Sequence, residues 1–557
     1  TKDEIRSYFV DLLINQIISD LKKEYNYSEA VCYKLLYSGG LQIEATIDPK
    51  VQAAMEQVFS DRSNFPIMKG TTQPEAAMVV LSPEGNLLGV VGGIGEKYGN
   101  RVLNRAVSRR QVGSAIKPVT VYAPALEYRR ITPYTIFDDS PPMLINSKTG
   151  ILIDPEQVTG DMTDLAVWPV NSNRRYTGLV TATDAVARSL NTVAVRVLDL
   201  ITPQTSYDFA TKNMGLSLTE TEIGYSALAL GGTNRGVSLL EMTAAYVPFL
   251  NSGIYREPST YFRVLDSEGA VLLDKTNTDR IAISPQTSYY MRSMLESVMR
   301  SGTGTSGRIS GFSTAGKTGT TSSDYDRWFI GFTPYYVGGV WFGFDINKEI
   351  SGISYNPSLA TWKKVMDILH EDKAPAAFPE PTELETHAYC LDSGMIPTAA
   401  CQADSRGRRV AYGKFFPGDA PVTVCNKHVF VDVCTESGDV ANSYCPEETV
   451  ERKAYPAYYR YFALPNVVVE DEHYMVHLPG ALSEAILQRY YPAISRTGHA
   501  IEGSCTVHTH ETPVTTAPPE TDESDSQPPE TNEPGTGGTT PPEETTTPDF
   551  VPGPIQR

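Results

Sequence analysis

Between about residues 75 and 345 the segments of this chain that read as strands fall in two groups far apart in sequence, and helical patterns fill the space between them. In the first group, the apolar runs Ala76–Leu81 and Leu87–Val91 flank Ser82-Pro-Glu-Gly-Asn86, a turn signal that predicts a β-hairpin. In the second, beyond Ser313, Trp328–Phe332 and Tyr335–Phe342 flank Thr333-Pro334. From about residue 114 to 300 the patterns are mainly helical, with loops rich in Pro, Asn and Gly. Strands that bracket a helical middle predict an α+β domain in which the terminal strands share one antiparallel sheet covered by helices.

The 557 residues are too many for one core, and a soft prior gives three to four units of roughly 100–200 residues. The boundaries are read as 1–45, 46–375, 376–510 and 511–557. At the front, Ile5, Phe9, Leu13, Ile17 and Leu21, with Leu12 beside them, predict one helix over residues 1–36, stopped by Gly39-Gly40. Leu41–Ile47 alternates as a half-buried strand, and Asp48-Pro49 caps a helix over Lys50–Phe59. This opening is too small for its own core and is read as a connector docked on something else. A net charge of −19 argues against nucleic acid as a partner, which would need a basic patch. No uninterrupted apolar run of about 18 residues is present. A chain that begins at Thr1 is expected to have lost upstream sequence, an anchor included.

The chemistry is constrained by what is missing. No histidine precedes His370, and no cysteine lies between Ala45 and His370. A serine nucleophile needs a base, usually imidazole; here the base left to it is an amine. Three short motifs supply hydroxyls and amines: Ser114-Ala-Ile-Lys117, Ser189-Leu-Asn191 and Lys317-Thr-Gly-Thr320. A spacing of three puts Ser114 and Lys117 on one face of a helical turn. Gly113 leaves room for a ligand near the backbone, and free N–H groups at a helix start suit an oxyanion. For Lys117 to act as a base its pKa must fall by about three units, or roughly 4 kcal/mol. Burial and a second cation would do this, and Lys317 is the candidate cation. Each motif alone has a bland reading, as a solvated helix face, a cap or a bulge. Together and in this order they form a serine acyl-transfer set.

The likeness extends beyond the motifs. Arg110-Gln-Val-Gly-Ser-Ala-Ile-Lys-Pro118, Asn171-Ser-Asn173 with Tyr176-Thr-Gly-Leu-Val180, and Leu230-Gly-Gly-Thr-Asn-Arg-Gly236 all contribute. So do Ser301-Gly-Thr-Gly304, Ala315–Thr321 and Trp328–Pro334. Over about residues 40–370 the chain resembles the transpeptidase region of class A penicillin-binding proteins, with Val112 where the family often has proline. The resemblance implies the penicillin-binding-protein/β-lactamase-like fold, an antiparallel sheet with covering helices and a helical subdomain. It implies that Ser114 attacks a D-Ala-D-Ala stem peptide to form an acyl-enzyme, with Lys117 as base. Ser189 would relay a proton to the leaving D-alanine, Asn191 would hold the donor amide and steady Lys117, and Lys317 would place charge beside Ser189. Lys317, Thr318 and Thr320 would bind the terminal carboxylate, Gly319 would let substrate lie close, and the N–H groups of Ser114 and Thr320 would form the oxyanion hole. The implied activity is a D,D-transpeptidase that cross-links peptidoglycan at the outer face of the cytoplasmic membrane, with no cofactor. β-Lactams would be mimics of its substrate. An upstream glycosyltransferase domain, absent from this chain, is implied as a partner. The rival readings are a D,D-carboxypeptidase, a β-lactamase, and a non-catalytic β-lactam sensor or wall-binding protein.

Residues 376–510 are expected to form a small β-rich, cysteine-containing module. Cys390…Cys401 and Cys434…Cys445 both fit Cys-x₂-Ser-Gly-x₆-Cys, which predicts two local disulfides, worth roughly 3 kcal/mol each. Cys425 and Cys505 are left as a third pair, and Cys32 alone. The competing reading is zinc held by Cys425, His428, Cys434 and Cys445; the oxidising setting favours disulfides and no metal. Residues 511–557, rich in Thr, Pro and Glu, are expected to be a disordered tail.

Overall fold

Every residue of Val337–Gly343 is buried, because helices cover both faces of that strand. A side chain at Gly338 would meet Trp362 and Met366 of the helix Pro357–His370, and one at the next residue, Gly339, would meet Thr243 and Leu239 of the helix Leu239–Ala244. Successive strand residues face opposite ways, so these contacts define three layers: helix, sheet, helix. The computed structural model describes residues 4–155, 158, 163–458, 467–471, 474–476 and 503–510.

The sheet has five strands: β1 (Glu75–Leu81), β2 (Leu87–Val91), β3 (Ala315–Thr320), β4 (Asp326–Phe332) and β5 (Val337–Gly343). Their spatial order is β3-β4-β5-β1-β2, all antiparallel. The two distant strand groups thus join where β5 pairs β1, with Val340 opposite Met78. The hairpin β1–β2 closes as expected: Ser82 N–H donates to Asn86 O at 2.9 Å. A wholly buried helical run, Pro118–Tyr122 continued by Ala123–Leu126, forms the centre of the helical middle.

Two parts differ from the sequence reading. The opening helix is two helices, Tyr8–Tyr25 and Glu29–Ser38. Asn26 ends the first in the left-handed region at φ 56°, and the Ser28 hydroxyl accepts from Val31 N–H to start the second. This opening completes its core only with residues from further along the chain. Ile14, Ile17, Leu21 and Cys32 pack on Tyr261, Val264 and Leu273 of a three-stranded sheet, in which Gln42–Ala45 pairs Tyr261–Leu265. The helical middle also carries short strands, among them Ile136–Asp139 paired with Gly178–Thr181.

In the C-terminal region, β6 (Glu385–Cys390) pairs β7 (Val410–Phe415), and β8 (His428–Cys434) pairs β9 (Val450–Pro456). The β6–β7 hairpin docks on the helical middle through Tyr134, whose ring lies 4.9 Å from that of Tyr389 and 4.5 Å from that of Phe415. Tyr290 Oη accepts from Phe416 N–H at 2.9 Å beside it. Among the described residues no helix is long and apolar enough to cross a membrane. The tail 511–557 lies outside the described residues.

Candidate active site

Gly113–Ile116 is a 3₁₀ turn, closed by Lys117 N–H donating to Ser114 O. Residues three apart eclipse one another in such a turn, so Ser114 and Lys117 project from the same face. Neighbours fix the turn from several sides. Trp328 Nε1 of β4 donates to Gln111 O at 2.9 Å, and Tyr246 Oη donates to Ala115 O at 2.6 Å. Gly113 sits at φ 57°, and a side chain there would strike Thr320 O at 2.3 Å. Glycine is therefore required on two counts, conformation and close approach. That approach brings the end of β3 against the turn that carries Ser114.

The second motif is a corner between helices. Ala182–Arg188 ends at Ser189, which adopts φ 59°, and Asn191 opens the helix Asn191–Ile201. A left-handed serine costs about 1–2 kcal/mol relative to the ordinary region. The corner turns two carbonyls and one amide oxygen onto a single amine. Lys117 Nζ donates to Asn191 Oδ1 at 2.7 Å, Ser189 O at 2.9 Å and Leu190 O at 3.3 Å. Asn191 Nδ2 donates to Val170 O at 2.8 Å, which fixes the amide with its oxygen towards the lysine. Lys317 Nζ reaches the same corner from β3 and donates to Ser189 Oγ at 2.8 Å and Thr318 O at 3.1 Å.

Both amines are removed from water: Lys117 is 1 % exposed and Lys317 0 %. Burial holds Lys117 well below the ordinary lysine range, and repulsion from Lys317 adds to the effect. Burial alone pushes Lys317 down to about 7. Among the described residues no carboxylate is a hydrogen-bond partner of either amine. A neutral amine can satisfy the two short acceptors at Lys117 with its two N–H groups and keep a lone pair. A buried lone pair one turn from a serine hydroxyl is equipped to take that hydroxyl's proton.

β3 is an outer strand of the sheet, so one row of its backbone groups is left for an incoming extended chain. Alternation puts Thr318 and Thr320 on one face of it and Lys317 and Gly319 on the other. Thr318 Oγ1 shares a hydrogen bond of 2.8 Å with Thr303 Oγ1. A side chain at Gly319 would meet Val112 O at 2.5 Å and Ala115 Cβ at 3.0 Å. The need for glycine here is thus already met by packing against the nucleophile turn.

Comparisons with known proteins address the fold and the family. Residues 76–349, which include all three motifs and, but for Glu75, all five strands, match the penicillin-binding protein transpeptidase domain. Penicillin-binding protein 1A of Clostridium botulinum is 31 % identical over 483 residues, covering 85 % of this chain and 56 % of that protein. Residues 76–349 belong to the penicillin-binding protein transpeptidase family. Penicillin-binding protein 1F of Bacillus subtilis is 32 % identical over 352 residues, covering 62 % of this chain and 44 % of its own length. The chain thus spans about half the length of the curated relatives it matches. Penicillin-binding protein 1A of Haemophilus influenzae has the same fold at a TM-score of 0.57 and 19 % identity, over 76 % of this chain and 78 % of that one.

Within the transpeptidase domain, a buried polar network behind the corner escaped the sequence reading. Asn171 Oδ1 accepts from Asn191 N–H at 2.8 Å, and Asn171 Nδ2 donates to Asp139 Oδ1 at 2.7 Å. Asp139 also accepts from Thr192 Oγ1, and from Thr177 N–H and Oγ1, both at 3.0 Å. Asp139 is fully buried. Asn171 had a signal, its place in Asn171-Ser-Asn173. Asp139 had none, since the strand Ile136–Asp139 was not read at all.

The disulfide candidates need correction. Cys390, Cys401, Cys425, Cys434, Cys445 and Cys505 are all unbonded. Cys425 and Cys390 sulfurs stand 3.6 Å apart, against about 2.05 Å for a disulfide. Cys425 and Cys505 belong to separate clusters: Cys390, Cys401, Cys425 and His428 form one, and Cys434, Cys445, Cys505 and His508 the other. The grouping of Cys425 and His428 with Cys434 and Cys445 therefore mixes ligands from both. The repeat was read only in part: each Cys-x₂-Ser-Gly-x₆-Cys is followed by its own Cys-x₂-His, Cys425-Asn-Lys-His428 and Cys505-Thr-Val-His508.

Proposed function

We propose that this chain is the D,D-transpeptidase portion of a class A penicillin-binding protein and cross-links peptidoglycan stem peptides through an acyl-enzyme on Ser114. The observation that carries this reading is that two buried amines meet on one serine: Lys117 Nζ donates to Ser189 O and to Asn191 Oδ1, and Lys317 Nζ donates to Ser189 Oγ. Lys117, neutral, takes the Ser114 proton as Oγ attacks the carbonyl carbon of the penultimate D-alanine. The C–N bond then breaks, and the departing D-alanine amine gains a proton through Ser189 Oγ. An acceptor amine attacks the Ser114 ester, gives a proton back through the same groups, and restores the hydroxyl. Backbone N–H groups of Ser114 and Thr320 hold the oxyanion, worth about 10²–10³ in rate per donor. Lys317, Thr318 and Thr320 receive the terminal carboxylate, and the free edge of β3 receives the stem peptide. Such chemistry belongs at the outer face of the cytoplasmic membrane, where the substrate is.

Labelled penicillin is expected to add one acyl group to the wild-type chain and none to Ser114→Ala, as read by intact mass. One-to-one labelling of the variant would overturn the assignment. With a stem peptide and an amine acceptor, a cross-linked product supports transpeptidation, and release of D-alanine alone would favour the carboxypeptidase reading.

A further inference from the structure

The two cysteine–histidine clusters lie outside the transpeptidase site. In the first, His428 Nδ1 is 3.4 Å from Cys390 Sγ, 3.4 Å from Cys401 Sγ and 3.5 Å from Cys425 Sγ. One imidazole nitrogen offers a single in-plane hydrogen-bonding position, so it cannot bond three sulfurs at once. The equal spacing instead describes four atoms around a common centre. With Zn–S of about 2.3 Å and Zn–N of about 2.0–2.1 Å, a tetrahedron has sulfur–sulfur edges of about 3.8 Å and sulfur–nitrogen edges of about 3.5 Å. The observed 3.6 Å between Cys390 and Cys425 and the three sulfur–nitrogen distances match those edges.

The second cluster repeats the pattern. His508 Nδ1 is 3.4 Å from Cys434 Sγ and 3.5 Å from Cys505 Sγ, and Cys445 completes the set, all four ligand atoms lying within 4.8 Å of one another. Backbone N–H groups support the sulfurs as they would thiolates. Asp392 N–H, Thr398 N–H and Lys427 N–H donate to Cys390, Cys401 and Cys425 at 3.3–3.4 Å. Asn442 and His508 N–H do the same for Cys445 and Cys505 at 3.4 Å.

Each imidazole turns its other nitrogen to carboxylates, the partner that fixes a metal-bound histidine. His428 Nε2 is 3.1 Å from Asp392 Oδ2 and 3.0 Å from Asp404 Oδ2, and His508 Nε2 is 3.3 Å from Glu436 Oε2. Arg406 pairs with both Asp392 and Asp404 at 2.8 Å, and Arg409 pairs with Asp392 at 3.0 Å. Those guanidiniums already neutralise the carboxylates, so a cation belongs on the sulfur side of the ring.

We propose that residues 390–508 hold two structural zinc ions, one in Cys390–Cys401–Cys425–His428 and one in Cys434–Cys445–Cys505–His508. Four protein ligands leave no open position, so the sites are structural and not catalytic. Binding releases the thiol protons of three cysteines per site. β8 ties the two together, with His428 of one site at its start and Cys434 of the other at its end. The apolar cluster in this part is small, built on Val431, Val433 and Val476, which is where a metal can substitute for a core.

Elemental analysis of the untagged full chain is expected to give two zinc per chain, with no disulfide among the six cysteines by non-reducing peptide mapping. Cys425→Ser and Cys505→Ser should each give one zinc per chain. If either variant fails to fold, stepwise release from the wild type by an organomercurial, followed with a zinc dye, should still return two. His428→Cys should keep two, because it preserves a tetrahedral thiolate set. One zinc per chain in the wild type would overturn the two-site assignment. No zinc, or a recovered Cys390–Cys401 or Cys434–Cys445 disulfide, would overturn the proposal outright.

Discussion

Lys117→Met is expected to slow acylation by penicillin by roughly 10²–10⁴-fold, the usual contribution of a general base. Methionine fills much of the lysine volume but carries no lone pair able to accept the Ser114 proton. Lys117→Arg is expected to be as slow. It keeps a cation at the corner, but a guanidinium does not lose its proton in a protein. The two variants together separate a base from a mere positive charge. If Lys117 only held charge against the substrate, arginine would retain most of the rate. Time-resolved intact mass gives both rates directly. Acylation of Lys117→Met at the wild-type rate would move the base to another residue.

Asp139→Ala is expected to destabilise the fold by about 3–5 kcal/mol, because each donor left without a partner in the interior costs roughly 1–3 kcal/mol. The stranded groups would be the Thr192 hydroxyl and one of the two Asn171 Nδ2 hydrogens, the other still reaching Arg175 O, while the donors of half-buried Thr177 can turn to water. Asp139→Asn should cost less, since it retains an acceptor oxygen. Asn171 holds Asn191 N–H, so slackness at Asp139 passes to the amide that orients Lys117. Asp139 is thus a positioning residue. Its variants should show slower acylation with the pH dependence unchanged, alongside a lower melting temperature. A fold as stable as wild type in Asp139→Ala would contradict the network.

The site was legible because its chemistry is concentrated in short motifs. Ser114 and Lys117, Ser189 and Asn191, and Lys317 to Thr320 each sit within a few residues, and the lack of histidine before His370 forced the amine reading. The sheet was legible because β1, β2, β4 and β5 are nearly continuous apolar runs. What failed was whatever depended on distant partners. Asp139 meets Asn171 across 32 positions, and the second site's Cys505 lies far downstream of Cys445. The strand Ile136–Asp139 is four residues long and mostly half-buried, too short for a period to show. Asn26 interrupts a regular apolar stripe through its backbone conformation, which hydrophobic spacing does not record. The left-handed conformation of Ser189 is similarly invisible in a serine, although it is what aims two carbonyls at Lys117.

The central claim is that Lys117 works as a neutral amine and that Lys317 helps to keep it so. The direct test is the pH dependence of penicillin acylation in the wild type and in Lys317→Met. Protonation of Lys117 removes the base, so the rate falls on the acidic side. As pH drops through about 7, Lys317 gains its proton and repels a second charge on Lys117. Removing Lys317 removes that repulsion, so Lys117 holds its proton to a higher pH and the acidic limb moves upward. An upward shift of the limb, whatever the plateau rate, is the predicted result; a limb that stays in place or moves to lower pH would contradict the account.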